Sequence, residues 1–222
     1  MTTELYEAGS GSSSRLYERA SAQMEMTPAT YRQGGRGMRM GYTIVPSPLG
    51  RLLVAATPRG LSAIMLGENN ATLAAELAGD YPQAEIFLDR SGLEDYLRPL
   101  LQHLCGEHPH LDLPLDVRAT AFQRRVWEEL RRIPYGESRS YSQVAHAIGQ
   151  PSAVRAVARA CATNHISVVI PCHRVVGADG ELTGYRWGIE RKRALLDTEK
   201  KNAGKARAER PGVNGRKVSP AA

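Results

Sequence analysis

Residues 170–177 read I-P-C-H-R-V-V-G and set a cysteine directly beside a histidine and an arginine. A cysteine inside an apolar run is ordinarily an unreactive core residue. Here the adjacent imidazole and guanidinium favour the thiolate, which is the nucleophilic form of the side chain. The stretch therefore predicts a reactive thiol at Cys172 and a fold that positions it.

Further motifs accompany this stretch along the chain. They are T-A-F-Q-R-R-V-W at 120–127, I-P-Y-G-E-S at 133–138, S-Y-S-Q-V-A at 140–145, A-V-R-A-V-A at 153–158, N-H-I at 164–166 and G-Y-R-W-G at 184–188. In their order and spacing, residues 41–199 resemble the O6-alkylguanine-DNA alkyltransferases. The Y-R-W-G variant and the segment before residue 41 are most similar to the bacterial adaptive-response (Ada) branch of that family.

The resemblance implies a two-domain α+β fold. A small ribonuclease-H-like α/β domain is expected over residues 38–117. A winged-helix-like alkyltransferase domain that contains a helix-turn-helix is expected over residues 118–200. Residues 1–37 resemble a remnant of an AraC-type helix-turn-helix followed by a linker. Residues 201–222 are rich in Lys, Arg, Gly and Ala without apolar periodicity, which predicts a disordered basic tail.

Length and composition narrow the class of protein. A chain of 222 residues suits one or two small domains, and no apolar run is long enough to span a membrane. The N-terminus lacks the charged-then-apolar pattern of a secretory signal, so a cytoplasmic protein is expected. The three cysteines form neither a disulfide framework nor a C-x-x-C metal motif. We expect Cys105 and Cys161 to be core residues.

Charge is unevenly distributed between the two halves of the chain. Residues 38–117 carry five Lys and Arg against ten Asp and Glu, whereas residues 118–200 carry fourteen against eight. The basic half contains Cys172, as expected of a surface that binds phosphates. The acidic half is expected to face away from a polyanion.

Apolar and polar residues alternate between turn residues in the first domain, and this pattern predicts strands. Strands are expected at 42–45, 51–56, 61–66 and 111–117, and helices at 71–79 and 93–104. The second domain is predicted to be mostly helical, with helices at 120–133, 141–148, 153–162 and 189–200.

Three of these helices begin with capping signals. Thr120 with Gln123, and Ser140 with Gln143, form capping boxes. Ser152 is expected to cap the next helix. A short helix, a tight turn that contains glycine and a helix with exposed arginines have the outline of a helix-turn-helix.

The chemistry expected of Cys172 requires a base. Adjacent side chains of an extended segment point to opposite faces, so Cys172 and His173 bond directly only if the backbone turns sharply, and otherwise a water bridges them. The resemblance implies a thiol–water–histidine–glutamate relay in which Glu199 orients His173. It also implies that Asn164 is a hinge between the recognition helix and the active-site turn.

O6 of guanine lies inside the duplex stack, so a nucleotide must be everted before a protein thiol reaches it. By the resemblance, Arg155 is the arginine finger that fills the gap, and Tyr141 turns the nucleotide phosphate and bonds the everted base. Small residues around Arg155 favour close approach to the minor groove. The carbonyls of Cys172 and Val175 are implied acceptors for the guanine amino group, and Lys192 is implied near the pocket without an assigned role.

The loop at residues 184–188 is expected to form a wall of the base pocket. Tyr185 is predicted to stack on the base, and Arg186 to meet O6 or a phosphate. Trp187 is predicted to narrow the pocket, so that methyl adducts are accepted and benzyl adducts poorly.

The resemblance as a whole implies DNA repair by direct reversal. The reaction would be the stoichiometric, irreversible transfer of the alkyl group from O6-alkylguanine, and also O4-alkylthymine, in DNA to Cys172. A thioether is stable, so the protein would act once. No metal and no cofactor are expected. The expected partner is double-stranded DNA, bound in the minor groove with base flipping by a monomer, with no membrane involved.

Three alternatives fit parts of the sequence. An alkyltransferase-like module that binds lesions without chemistry would lack the cysteine that is present here. A transcriptional regulator of the adaptive response is suggested by residues 15–32, although that regulator domain is incomplete. A cysteine hydrolase would carry its histidine far from its cysteine in sequence.

Overall fold

The structure, a computed structural model, describes residues 37–208 of the chain. The predicted regulator remnant, apart from Gly37, and the predicted tail from residue 209 onward therefore lie outside the described residues. Within the described range, no helix has both the length and the apolar content needed to cross a membrane.

The first domain is built on a four-stranded sheet. Its strands are β1 (Arg39–Ser47), β2 (Gly50–Thr57), β3 (Gly60–Gly67) and β4 (Glu85–Leu88), in the order β3-β2-β1-β4. The first three form antiparallel hairpins, and β4 pairs in parallel with β1. The first three predicted strands are confirmed. Strand β4 of the structure was not predicted, because its four residues between turn residues are too few to show an alternation of apolar and polar side chains.

Two helices complete this domain, α1 (Asn70–Asp80) and α2 (Glu94–Leu104). Both helices were predicted and are confirmed. Asn69 caps α1 by accepting a hydrogen bond from the backbone N–H of Thr72 at 2.8 Å. The core prediction for Cys105 is wrong: this residue follows α2 directly and is exposed, whereas Cys161 is buried as expected.

The prediction of a strand at 111–117 is wrong, because this segment makes only an isolated bridge to Leu61 in β3. Pro114 has no N–H to donate to a ladder. The pairing is limited to two bonds, from Leu61 N–H to the Pro114 carbonyl and from Asp116 N–H to the Leu61 carbonyl. Gly60 permits this close approach, because a Cβ there would lie 2.5 Å from the Pro114 carbonyl oxygen.

The second domain is mostly helical, as predicted. Its elements are α3 (Ala121–Arg131), β5 (Arg139–Ser140), α4 (Tyr141–Ala147), α5 (Val154–Ala162), a single 3-10 turn (Cys172–Arg174), β6 (Val175–Val176) and α6 (Ile189–Ala208). Strands β5 and β6 form a short parallel pair. Helix α6 continues eight residues past its predicted end, so the prediction of a disordered tail is wrong over residues 201–208.

Local sequence sets where these helices begin. The capping boxes of Thr120 and Ser140 are both confirmed, each with the reciprocal glutamine bond. The cap predicted at Ser152 is wrong. Helix α5 begins after Ala153, which makes no side-chain capping bond and whose N–H is bonded to the Gln150 carbonyl in the preceding turn.

Helices α4 and α5 form the predicted helix–turn–helix outline, and α3 packs against both. Gly149 in the turn has a φ of +71°, a conformation that favours glycine. The indole N–H of Trp127 in α3 donates to the Ala160 carbonyl in α5 at 2.9 Å, inside the core.

A backbone contact joins the two domains close to the thiol. Ile64 N–H in β3 donates to the His165 carbonyl at 2.7 Å, and Ser167 N–H donates to the Ile64 carbonyl at 3.4 Å. The segment that leads from α5 to Cys172 is therefore attached to the edge of the sheet.

We expect Thr120→Ala to lower the free energy of unfolding by about 1 kcal/mol, because it removes the acceptor for Gln123 N–H. Ser152→Ala is the matched control, and we expect a change within about 0.5 kcal/mol because Ser152 is not a cap. Denaturant unfolding of both variants measures the difference. Equal losses would contradict the capping assignment.

Candidate active site

Cys172 is the first residue of the 3-10 turn and follows Pro171. Only 6% of the residue is exposed. Its sulfur accepts a hydrogen bond from the side-chain amide of Asn164 at 3.2 Å. The backbone turns sharply here, and the thiol and the imidazole of His173 have different hydrogen-bond partners.

Asn164 lies two residues beyond α5 and is buried. Its amide nitrogen also donates to the Ile170 carbonyl at 2.8 Å, and its amide oxygen accepts from Ile166 N–H at 2.9 Å. The sequence predicted a hinge whose effect is positional. The structure adds a direct bond to the sulfur, and a donor to sulfur favours the thiolate.

Cys172 lines a cavity of about 460 Å³, here called the thiol cavity. Its lining residues are Tyr141, Ala158, Cys161, Ala162, Cys172, Thr183, Gly184, Tyr185 and Arg186. This volume lies in the range of about 300–1,000 Å³ that is usual for small-molecule sites. Three of the predicted base-binding residues, Tyr141, Tyr185 and Arg186, therefore line the same cavity as the buried Cys172.

Behind the thiol lies the buried carboxylate of Glu199 on α6. It accepts hydrogen bonds from His173 Nε2 at 2.8 Å, from Arg174 Nε at 2.9 Å and Nη2 at 3.0 Å, and from Gly136 N–H at 3.2 Å. Burial alone would raise the pKa of Glu199, but the bonds and charges of His173 and Arg174 lower it to about 2. The predicted pairing of Glu199 with His173 is present in the structure.

The imidazole of His173 is fully buried, and burial lowers its pKa against the opposing effect of Glu199. A neutral ring results. Because a carboxylate only accepts hydrogen bonds, Nε2 carries the proton, and Nδ1 keeps its lone pair. Nδ1 is buried and has no hydrogen-bond partner among the described residues. It is the ring atom that is able to take up a proton.

Sequence reasoning assigned no role to Arg174, although it noted the residue beside the thiol. In the structure Arg174 binds Glu199 through two nitrogens, and its third nitrogen, Nη1, donates to the Ile133 carbonyl at 2.7 Å. The guanidinium also lies over the ring of Tyr135, 5.6 Å from the centroid. The sequence signal for this role was the position of Arg174 beside His173 in residues 170–177. A buried acid that binds a histidine also needs a cation to remain charged.

The contacts of Lys192 were not predicted from the sequence. Its ammonium group is fully buried and donates to the Val175 carbonyl at 2.6 Å and the Thr183 carbonyl at 2.8 Å. The Val175 carbonyl, predicted to accept the guanine amino group, thus already accepts a bond from Lys192. The lysine joins the strand after the thiol to the loop that lines the thiol cavity.

The pKa of the Cys172 thiol results from opposing effects. Burial raises it, whereas the hydrogen bond from Asn164 and the positive charge of Lys192 lower it, and the net direction is upward. Burial and the nearby Cys172 also raise the pKa of Cys161 in the same cavity; there the positive charge of Lys192 opposes them without a hydrogen bond to the sulfur. Of these two cysteines, Cys172 is the one that the surroundings favour as thiolate.

One residue between Asn164 and Cys172 is strained. Val168 has a φ of +73°, which is rare for a β-branched residue and costs on the order of 1–3 kcal/mol. Backbone bonds on both sides keep it in place, from Val169 N–H to the Ser167 carbonyl and from Ile170 N–H to the Ile166 carbonyl. Such strain is typical of segments that position a functional group.

The loop at 184–188 contributes to the cavity that contains Cys172, while its predicted contacts with a base stay predictions. Tyr185 and Arg186 line the thiol cavity. The Arg186 guanidinium, however, is bound to Asp80 at the end of α1 at 2.9 Å and lies 3.1 Å from His165 Nδ1. In this arrangement Arg186 connects the loop to the first domain rather than pointing freely at a base.

Trp187 does not line the thiol cavity. Its ring is buried, and its N–H donates to the Ser167 hydroxyl. Contrary to the prediction, the bulk of Trp187 therefore does not narrow the thiol cavity, and the adduct size limit stays a prediction without this support. An apolar ring with one N–H donor packs more favourably in the core with that donor satisfied.

The two remaining predicted base-binding residues lie on the helix-turn-helix. Tyr141 begins α4 and lines the thiol cavity. Arg155 lies in the first turn of α5 and is exposed, outside the cavity lining. The structure thus places Arg155 on the outer surface of α5, and its predicted role stays a prediction.

Two family models match this chain and together cover most of the described residues. Residues 40–117 match the 6-O-methylguanine DNA methyltransferase ribonuclease-like domain, and residues 121–201 match the DNA-binding domain of the same family. The boundary lies between the two domains seen in the fold. The expected α+β, two-domain organisation is confirmed.

Individual relatives agree with the family models. The bifunctional transcriptional activator/DNA repair enzyme Ada of Escherichia coli is 46% identical over 91% of this chain, but the chain spans only 57% of Ada's length. A methylated-DNA–protein-cysteine methyltransferase of Mycobacterium bovis is 43% identical over 73% of this chain and 93% of its own. The crystal structure of Mycobacterium tuberculosis OGT in complex with DNA superposes with a TM-score of 0.63 at 38% identity, covering 74% of this chain and 94% of that chain.

We expect Lys192→Met to raise the pKa of Cys172, because the variant removes a positive charge that favours the thiolate. The rate of Cys172 modification by iodoacetamide, followed by peptide mass against pH, should shift to higher pH. Lys200→Met on the same helix is the control, since Lys200 is exposed. Superimposable profiles for folded Lys192→Met and the parent protein would refute this electrostatic role.

We expect Glu199→Gln to destabilise the protein by about 3–5 kcal/mol at neutral pH, because Arg174 is left as an unpaired buried charge. The pKa of Glu199 falls from 4.5 to about 2 on folding, so its contribution to stability is complete above 4.5 and is lost as pH falls towards 2. The stability difference should therefore shrink across that window in denaturant unfolding. Glu190→Gln, an exposed change on α6, should show no such dependence.

Proposed function

Because the chain belongs to the 6-O-methylguanine DNA methyltransferase family, we propose that it repairs DNA by transferring the alkyl group of O6-alkylguanine to its own Cys172. The observation that carries this proposal is that Cys172 lines the thiol cavity while its sulfur accepts a hydrogen bond from Asn164. A cysteine that served only for packing would require neither the cavity nor the donor.

The reaction is a displacement at the alkyl carbon. The Cys172 thiolate attacks the carbon bonded to O6, a carbon–sulfur bond forms as the carbon–oxygen bond breaks, and the electron pair remains on the guanine. The restored guanine takes up a proton at N1. The product is a thioether, which thiol–disulfide exchange does not reverse, so Cys161 in the same cavity is unable to regenerate the thiol. Each molecule of the protein reacts once.

His173 is the base in this proposal. The thiol proton moves through one bridging water to Nδ1, the ring atom with a free lone pair. The imidazolium that forms is stabilised by Glu199, which holds the opposite ring nitrogen at 2.8 Å. Arg174 keeps Glu199 ionised and in place. Asn164 and Lys192 favour the thiolate from the other side.

Double-stranded DNA is the partner in this proposal, and the relative from M. tuberculosis has been solved in complex with DNA. We propose that a monomer inserts α5 into the minor groove and everts the damaged nucleotide into the thiol cavity. Apart from Arg159, the exposed neighbours of Arg155 on α5 are small, which permits close approach to the groove floor. Arg155 is exposed on the same helix and fills the gap in the stack.

Mixing the protein with duplex DNA that carries O6-methylguanine should add the mass of one methyl group to the protein. Peptide mass should place the methyl on Cys172. Cys172→Ser should bind the same duplex without gaining mass, and Cys161→Ser should react like the parent, because the raised thiol pKa of Cys161 disfavours attack. A methyl group on Cys161, or none on the folded parent protein, would overturn the proposal.

A further inference from the structure

Helix α5 has a second cavity on its other side. This interdomain groove has a volume of about 680 Å³ and lies between the end of α1, the start of α3 and α5. Its lining residues include Asp80, Arg118, Thr120, Gln123, Arg159 and His165. None of the residues assigned to the proposed reaction lines it, so the groove is a feature that the chemistry at Cys172 does not explain.

The two cavities lie on opposite flanks of α5. Ala158, Cys161 and Ala162 line the thiol cavity, whereas Ala156 and Arg159 line the groove. At about 100° per residue, these two sets point to opposite sides of the helix, and the exposed ridge lies between them. Helix α5 therefore separates the thiol cavity, which is proposed to hold a base, from the interdomain groove.

The charge of the groove is positive and largely uncompensated. Arg159 is exposed and has no ion-pair partner among the side chains that the structure describes. Arg118 is held by the ring of Tyr81, 4.6 Å from the centroid, and by the sulfur of Met38 at 2.9 Å, rather than by a carboxylate. A guanidinium held by an aromatic face and a thioether keeps its full charge for an incoming anion.

The one carboxylate in the groove lining is already bound. Asp80 accepts from Arg186 at 2.9 Å and lies 3.1 Å from His165 Nδ1. Burial tends to raise the pKa of Asp80, but the bonds and charges of these two residues outweigh it, so the net pKa is lowered and Asp80 is ionised. Its negative charge is therefore balanced within the first domain and the loop. The net charge offered by the groove comes from Arg118 and Arg159.

We propose that this interdomain groove binds the phosphodiester backbone of the undamaged DNA strand. The inference rests on the proposed function, in which α5 lies along the minor groove. A helix in that position has one backbone on each side. The damaged strand must lie on the flank of the thiol cavity, because its everted nucleotide has to reach Cys172. The undamaged strand then lies on the flank of the interdomain groove, where Arg159 and Arg118 meet its phosphates.

The first test compares duplex DNA with single-stranded DNA that carries the same O6-methylguanine, in a Cys172→Ser background that prevents reaction. Arg159→Ala should weaken duplex binding several-fold and reduce the slope of log affinity against log salt by about one unit. It should weaken single-strand binding no more than the control does. Arg125→Ala is the matched control, because Arg125 is an exposed arginine of α3 that does not line the groove.

The second test removes charge from the DNA instead of the protein. Methylphosphonates placed singly along the undamaged strand should, at one or two adjacent positions, weaken binding by the parent protein but not by Arg159→Ala. Equal effects of Arg159→Ala on the two DNA forms, or equal methylphosphonate effects on both proteins, would overturn the assignment. Methyl transfer by the protein with Cys172 intact is measured separately, so a failure of the proposed repair reaction would be recognised as such.

Discussion

The buried carboxylate of Glu199 is the interaction on which the active site depends. It stays ionised out of water because His173, Arg174 and the N–H of Gly136 donate to it. These donors come from the turn that contains the thiol and from the loop after α3, while Glu199 itself lies on α6. A buried ion is stable only with its full set of partners. The position of α6, the orientation of the imidazole and the geometry of the turn are therefore fixed together.

The first domain contributes no group to the proposed chemistry, yet it contacts the site at two points. Strand β3 pairs through Ile64 with the segment that leads to Cys172, and Asp80 binds Arg186 in the loop that lines the thiol cavity. The strained backbone at Val168 lies within the paired segment. Strain of that size persists only where the surroundings over-determine the conformation, and the attachment to the sheet supplies part of that constraint. The first domain is thus a rigid support for both sides of the thiol.

Local rules predicted what depends on local sequence. The boxes at Thr120 and Ser140 and the hairpin strands follow from turn and capping chemistry within a few residues. Contacts between residues that are distant in sequence were not predictable in this way. Nothing in the spacing shows that Trp187 turns into the core, or that Arg174 pairs with an acid on a distant helix. The motif register did predict the pairing of His173 with Glu199, because a family pattern carries tertiary information that periodicity lacks.

Burial raises the pKa of Cys172, although the proposed reaction needs a thiolate. A raised thiol pKa and a reaction that needs the thiolate are compatible if the thiol reacts only once. A sulfur that was always charged and exposed would be consumed by any small electrophile, and no second step restores it. Here Asn164 and Lys192 favour the anion, His173 stands ready as a neutral base, and burial opposes them. One pKa unit corresponds to only about 1.4 kcal/mol, so the balance is shifted by modest changes in the cavity. In the proposed reaction, a base that fills the cavity places its alkyl carbon at the sulfur, so that the thiolate, once formed, attacks the substrate rather than another electrophile.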